Sequence, residues 1–415
     1  MNRVFTAADI LVPQVDSMEK WAVIACDQFT SQPEYWQAVR QTVGDAPSAL
    51  RLILPEAELG LPEQNTARAG QINAAMTAYL DAGIFREYPA SFVYVERTLR
   101  DGTVRQGVLG AVDLEAYDYT PDATSAIRAT EKTVPERIPP RVAIRRDAPL
   151  ELPHVLLLCD DAECALIESL AAKKDALPRL YDFDLMADGG HIAGYLVQGE
   201  TAADFAARLD AYAAAAPDKY RDLAGVPMLI AVGDGNHSLA TAKACYEELK
   251  AAHPDEDFSA HPARYALAEF ENIHAPAQQF EPIHRVLTGV DPQAVLAALQ
   301  AAVGAEDGYP VEWVAGTHSG TVYLDRRRGQ LPVGILQNFL DGYLAEHSGT
   351  VDYIHGDDVV RRLAGADGAI GFLLPAMEKG QLFRGIIADG VLPRKTFSMG
   401  HAQEKRYYLE ARKIK

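Results

Sequence analysis

The chain has 415 residues, 48% of them hydrophobic and 23% charged, a globular composition long enough for two domains or for one domain with a large insertion. Its 39 basic residues against 58 acidic ones leave a net charge of −19, which disfavours a nucleic-acid partner, because phosphate backbones are held by clustered Lys and Arg. Cys26, Cys159, Cys164 and Cys245 lack the C-x-x-C spacing of a zinc or redox site and read as reduced core thiols. Residues 1–11 carry no apolar signal segment and no run is long enough to span a membrane, so the expected compartment is the cytoplasm.

Residues 21–26 read as a short buried strand that delivers Asp27 to a turn, and a helix follows from Pro33, with Thr30 or Ser31 as its cap and Gly44 as its stop. A second helix covers 64–82, and the alternating runs 92–99 and 104–112 flank Asp101 and Gly102 as a hairpin. Between 117 and 150 periodicity fades and Arg, Glu and Pro crowd together, so this stretch reads as a polar loop that either carries function or links domains. A buried strand at 154–159, a helix at 162–173, a hairpin of 181–186 with 192–197 and a helix at 202–213 come next. The apolar run 227–232 then enters Gly233-Asp234-Gly235-Asn236-His237-Ser238, and a helix continues to 250 before a strand at 265–270. The last third carries helices at 292–302 and 357–363, strands at 321–324 and 370–374, and a basic tail from 394 to 415. No internal repeat is present.

The strand, two-glycine turn and helix around Gly233 and Gly235 make the clearest chemical signal. Backbone N–H groups at a helix start, with the positive end of its dipole, form an anion site, and glycine lets phosphate approach closely. Asp234 adds a carboxylate for a divalent metal or a proton, and His237 a donor to an anionic oxygen. The plainer alternative is that Asp234 and Asn236 only shape the turn and cap the helix. A second cluster sets Glu131 among Lys132, Arg137 and Arg141, a pattern suited to capture of a carboxylate or phosphate. His284 with Arg285, and Lys395 with Thr396, supply further anion contacts unless they are solvated surface pairs. P-loop, G-x-G-x-x-G, H-E-x-x-H and G-x-S-x-G patterns are missing, so the chemistries they serve lose support.

Five ordered segments carry a resemblance: Ala25 to Gln28, Arg128 to Thr133, Val232 to Ala242, Pro282 to Arg285 and Leu392 to Thr396. Over essentially its whole length the chain resembles a widespread prokaryotic family catalogued as domain of unknown function 1015. That family's Asp-Gly-His-His-Arg-type turn is similar to the nucleotide-binding turn of the ParB and sulfiredoxin superfamily, which includes kinases for free serine. Here Asn236 stands for the first histidine and Ser238 for the arginine, with Arg285, Arg137 or Lys395 as substitutes for the lost charge.

The resemblance implies an α/β (mixed α+β) protein with a ParB/sulfiredoxin-like mixed-sheet core and a second α/β domain. The expected division is an N-terminal α/β domain at 1–150, the segment with the glycine turn at 151–290, and a C-terminal α/β segment at 291–415. The expected activity is magnesium-assisted phosphoryl transfer from ATP, ADP or pyrophosphate to a small hydroxylated acceptor, with L-serine foremost. Glu131, Asp234 and His237 are the catalytic candidates. Gly233, Gly235, Asn236, Ser238, Arg137, His284, Arg285 and Lys395 are the phosphate contacts, and Asp27, Thr133, Arg141 and Thr396 the substrate contacts; Asp234 is the magnesium ligand. The competing readings are a metal-dependent hydrolase of a phosphoester or amide, and a nucleotide-sensing module without turnover. The expected partner is a small molecule, with neither nucleic acid nor membrane involved; the oligomeric state is left open, a homodimer included.

Overall fold

The computed structural model describes residues 3–133, 138–393 and 395–415. Arg137, a predicted phosphate contact, and Arg394 lie outside them. The fold is mixed α/β, with an eleven-stranded sheet and a six-stranded one.

The larger sheet runs in the order Arg179–Asp184, His191–Val197, Phe85–Thr98, Val104–Asp113, Tyr265–Asn272, Leu156–Cys159, Ile230–Asp234, Ile127–Ala129, Tyr117–Asp118, with Phe5–Thr6 paired to Val104–Asp113 and Ala8–Pro13 paired to Phe85–Thr98. Both expected hairpins form. The first pairs Val93 with Leu109 through to Thr98 with Val104, and Asp101 closes its turn by accepting the Thr103 N–H at 2.8 Å. Tyr265–Asn272 is antiparallel to Val104–Asp113 and parallel to Leu156–Cys159.

Ile230–Asp234 is apolar throughout its buried part because both faces are covered. Ile230 and Val232 pack with Leu239 on one side, and Ala231 packs with Leu158 on the other. Its parallel neighbour is Ile127–Ala129. The stretch read as a polar loop therefore contributes an interior strand next to the sheet's edge, and Ile138–Arg145 is a helix. Three residues are too few to show a period, which is why the sequence hid them.

The second sheet is antiparallel, in the order His318–Leu324, Gly304–Ala315, Ala369–Leu373, Phe280–Thr288, Thr350–His355, and Phe397–Met399 pairs with the start of Phe280–Thr288. The helices Pro332–Glu346 and Gln381–Asp389, which were not expected, pack in its core through Leu336, Leu340, Phe383 and Ile386.

Two expectations need correction. Gln32, not Thr30 or Ser31, precedes the Pro33–Val43 helix and makes no side-chain cap. The helix expected at 162–173 shrinks to Glu168–Ala171 because Asp161 ties the Ala165 and Leu166 N–H groups into a turn. The basic tail is built into the fold: Tyr407–Tyr408 pairs with Val23–Ile24, Arg412–Lys413 pairs with Leu150–Glu151, and Tyr407 to Arg412 are buried. Arg406 reaches Glu269 and Glu410 at 2.7 and 2.8 Å, and Arg412 reaches Glu151 at 2.6 Å, so the charges enter the interior as pairs.

Candidate active site

Two adjacent parallel strands end at the same edge and deliver one carboxylate each. Ile127–Ala129 runs on into Thr130 and Glu131, while Ile230–Asp234 ends in Asp234. The crevice beyond the carboxyl ends of parallel strands is the usual ligand position in open α/β sheets. Thr130 locks the two ends together, its Oγ1 donating to the Val232 carbonyl at 2.7 Å and accepting from Asn236 Nδ2 at 3.4 Å.

Gly235 then turns the chain into the Asn236–Ala252 helix. It has φ of 76°, and no side chain caps the helix behind it. A Cβ at this position would stand 3.0 Å from Val155 Cα, so both the conformation and the space require glycine. The N-terminus of a 17-residue helix is thus presented beside Asp234 and Glu131 without an acidic residue in its first turn, an arrangement suited to an anion.

The carboxylates are pushed in opposite directions. Burial raises Glu131 above the ordinary range and the charge of Asp234 adds to it, while the Lys395 N–H at 3.1 Å and the ammonium groups of Lys405 and Lys395 offset only part. Burial would raise Asp234 too, but Lys405 Nζ at 3.1 Å from Oδ2, the neighbouring His154 and the Gly235 N–H at 2.9 Å from Oδ1 hold it below its ordinary value. A pair of acids driven apart in this way is suited to divided roles, one able to hold a proton and the other a fixed charge.

Behind the turn lies a buried chain of groups. His154 Nδ1 shares a hydrogen bond with the Tyr408 hydroxyl at 2.7 Å, and that hydroxyl lies 3.1 Å from Cys26 Sγ. Burial lowers the His154 pKa against the pull of Asp27 and Asp234. Burial and Asp27 push the Cys26 thiol up to about 11, so it is no nucleophile at neutral pH.

A family model described as "Protein of unknown function (DUF1015)" matches residues 10–413. The chain belongs to the DUF1015 family. No curated protein matches this DUF1015 chain. Among solved structures it is similar to one titled "Free serine kinase in complex with AMP", with a TM-score of 0.38 and 11% identity over 73% of this chain and 91% of that one. It is also similar to a conserved hypothetical protein from Pyrococcus furiosus, at 0.35 and 9% over 72% and 93%, and to C-terminally truncated SbnI from Staphylococcus aureus, at 0.34 and 9% over 70% and 83%.

In this DUF1015 chain the sequence-predicted residues fall into two groups. Glu131, Asp234, Gly233, Gly235, Asn236, His237 and Ser238 lie at the two strand ends and in the first turn of the Asn236–Ala252 helix, with Ser238 lining the cavity that holds His154, and the Lys395 N–H donates to Glu131. His237 and Ser238 are half-buried in the first helical turn, and Asn236 Oδ1 is buried without a hydrogen-bond partner among the described residues. Thr133 Oγ1 is likewise unpartnered and lines a groove of 780 Å³ beside Lys132 and Asp341.

The second group sits elsewhere. Arg141 does not attend Glu131; it pairs with Glu56 and lines a cavity with His154. The cations that act on Glu131 are Lys395 and Lys405. Asp27 is near His154 rather than at the helix start. Thr396 Oγ1 closes its own turn onto the Pro393 carbonyl at 2.6 Å.

His284 and Arg285 are buried, not a surface pair. His284 Nδ1 accepts from the Leu374 N–H at 3.0 Å and Nε2 meets Asp357 at 2.9 Å, so both ring nitrogens are engaged. Arg285 donates to Gln337 and to the Ile283 and Lys395 carbonyls, at 2.7, 2.7 and 3.1 Å, and lies over the Tyr353 ring. It braces the loop that carries Lys395. Sequence reasoning missed Lys405, His154 and Tyr408, whose signal is purely tertiary.

Among the described residues no group of three or more His, Cys, Asp or Glu forms a metal cage, and no helix is long and apolar enough to cross a membrane.

Proposed function

We propose that this DUF1015 chain is a nucleotide-dependent phosphotransferase acting on a small hydroxylated metabolite. The observation that carries this is the pair Glu131 and Asp234, with pKa values driven apart, at the open N-terminus of the Asn236–Ala252 helix. The N–H groups of the first turn cradle the donor's phosphates. Glu131 takes the proton of the acceptor hydroxyl, the hydroxyl oxygen bonds to the terminal phosphorus, and the bond from that phosphorus to the bridging oxygen breaks, releasing ADP, AMP or phosphate according to the donor. Lys405 and Lys395 neutralise charge on the transferred group.

Magnesium fits this donor set as an ion that arrives with phosphates and water, the usual habit of Mg²⁺. Asp234, held ionised beside Lys405, is the residue that would hold it, and the ion would neutralise phosphate charge. The reading includes ATP, ADP or pyrophosphate as donor, a ParB/sulfiredoxin-like core around the glycine turn with the 1–150, 151–290 and 291–415 division, and work in the cytoplasm. L-serine is the acceptor this reading favours and the reference compound for the assay.

A phosphorus-31 NMR time course with Mg²⁺ and each donor, with and without a pool of serine, threonine, homoserine and glycerate, tests it. A phosphomonoester that depends on the pool is the expected result. Donor loss that ignores the pool would replace transfer by hydrolysis, and no change at all would leave a nucleotide-sensing module.

A further inference from the structure

The helical turn Ala402–Glu404 stops just before Lys405, and the last carbonyls of such a turn have no partner within it. Here they converge on one buried side chain. Arg97, on the Phe85–Thr98 strand, donates from Nη2 to the Gln403 carbonyl at 2.7 Å and from Nη1 to the Glu404 and Lys405 carbonyls at 3.2 and 2.5 Å. The same guanidinium donates to the Gly189 carbonyl at 2.8 Å and lies over the Tyr407 ring. Arg105, directly opposite Arg97 on the next strand, adds a second bond to the Glu404 carbonyl at 2.8 Å.

Like charges directly opposite each other on neighbouring strands are unfavourable. Arg105 has Glu271 Oε1 at 3.0 Å, whereas Arg97 donates only to backbone carbonyls among the described residues. Apolar residues of similar volume often replace buried charges without loss, so closing the sheet does not by itself call for this pair. What the pair does is fix three consecutive peptide units, a task suited to the rigid five-donor fork of arginine. On the other side of Lys405, Arg406 is held by Glu269 at 2.7 Å and donates to the Pro153 carbonyl at 3.0 Å. Lys405 therefore leaves a backbone fixed on both sides, and its Nζ stands 3.1 Å from Asp234 Oδ2.

We propose that Arg97, supported by Arg105, is a positioning residue of the strand-end site: by holding the 403–405 backbone it sets where the Lys405 ammonium stands against Asp234, and it acts only through that lysine. A lysine stem is long and flexible, and an ammonium on a loose backbone would sample many positions besides the one at Asp234. The consequence for chemistry rests on the phosphotransferase reading, in which Lys405 meets charge on the transferred group. A displacement of about 1 Å caused by a change far from the reacting atoms can cost about 10²-fold in rate.

The test is acetylation of the full folded chain with acetic anhydride, read at each lysine by mass spectrometry. The Lys405 side chain is 17% exposed and paired, so it labels slowly in the wild type, and Asp234→Asn sets the rate of the released ammonium. Arg97→Lys keeps the buried charge but cannot serve three carbonyls at once. Lys405 should then label at least about tenfold faster than in the wild type, the weight of one lost hydrogen bond to a charged group, while Lys250, paired with Glu115, labels as before. Lys405 labelling at the wild-type rate in folded Arg97→Lys overturns the proposal. Should that variant fail to fold, Arg105→Gln decides in its place: faster labelling of Lys405 supports the proposal and an unchanged rate overturns it. In steady-state kinetics Lys405→Met should lower kcat, and adding Arg97→Lys should lower it no further; full additivity of the two overturns the proposal as well. Released Lys405 in Arg97→Lys, with no phosphoryl transfer by the wild type, would retire the phosphotransferase reading and keep the positioning role; transfer with Lys405 unmoved would do the reverse.

Discussion

Asp234 and the His284–Arg285 pair are both polar residues on strands with apolar neighbours, and the fold treats them in opposite ways. Asp234 ends its strand, where the sheet opens onto a helix start, and keeps its charge through Lys405. His284 and Arg285 lie inside Phe280–Thr288, flanked by Thr350–His355 and Ala369–Leu373, and spend their hydrogen-bonding groups on the protein itself. Position along the strand, more than residue type, separates a charge left at a strand end from one that braces the core.

The sharpest break of that comparison comes from Glu131→Gln, which should lower phosphoryl transfer about 10²- to 10⁴-fold with the melting temperature nearly unchanged. Steady-state kinetics beside thermal unfolding checks it, and a comparable loss of stability would move Glu131 into the braced group. Arg285→Met should show the opposite balance. It leaves buried carbonyls and Gln337 short of a donor, at about 1–3 kcal/mol for each group left unpaired, so chemical denaturation should register a large loss while the folded fraction keeps most of its turnover. Gly235→Ala tests the turn: forcing a side chain into this conformation against Val155 costs about 1–3 kcal/mol, and donor affinity by calorimetry should fall with it.

The smallest effect concerns pH. Burial raises Glu131, so its base form fills above the ordinary carboxylate range, and kcat/KM should climb with pH through that interval. The folded state there keeps a proton that the unfolded chain has released. The stabilising contribution is therefore present at low pH and lost as pH rises, and the wild type should weaken relative to Glu131→Gln in that direction. Urea midpoints measured across that interval check the sign.

What could be read from the sequence follows the range of the interactions. The Gly233 to Ser238 unit is local, since strand, turn and helix announce themselves within a dozen residues, and it was legible as that strand, turn and helix. Glu131 was legible as a charge but not as a strand end, because the Ile127–Ala129 strand is too short to declare a period. Lys405 meets Asp234 across about two fifths of the chain, and Tyr408 meets His154 across 254 residues; no spacing rule reaches that far. His284 and Arg285 read as surface because unpaired charges belong there, and only tertiary partners such as Gln337 and Asp357 reverse the inference.

The segment from Lys405 to Arg412 closes contacts that begin near Trp21, whose indole donates to the Leu409 carbonyl at 2.8 Å across 388 residues. On the ribosome these residues emerge after the strands and turn that they join. Until they do, Asp234 lacks its lysine, His154 its tyrosine, and the Val23–Ile24 strand its mate. A chain interrupted short of residue 405 would therefore carry an unfinished site.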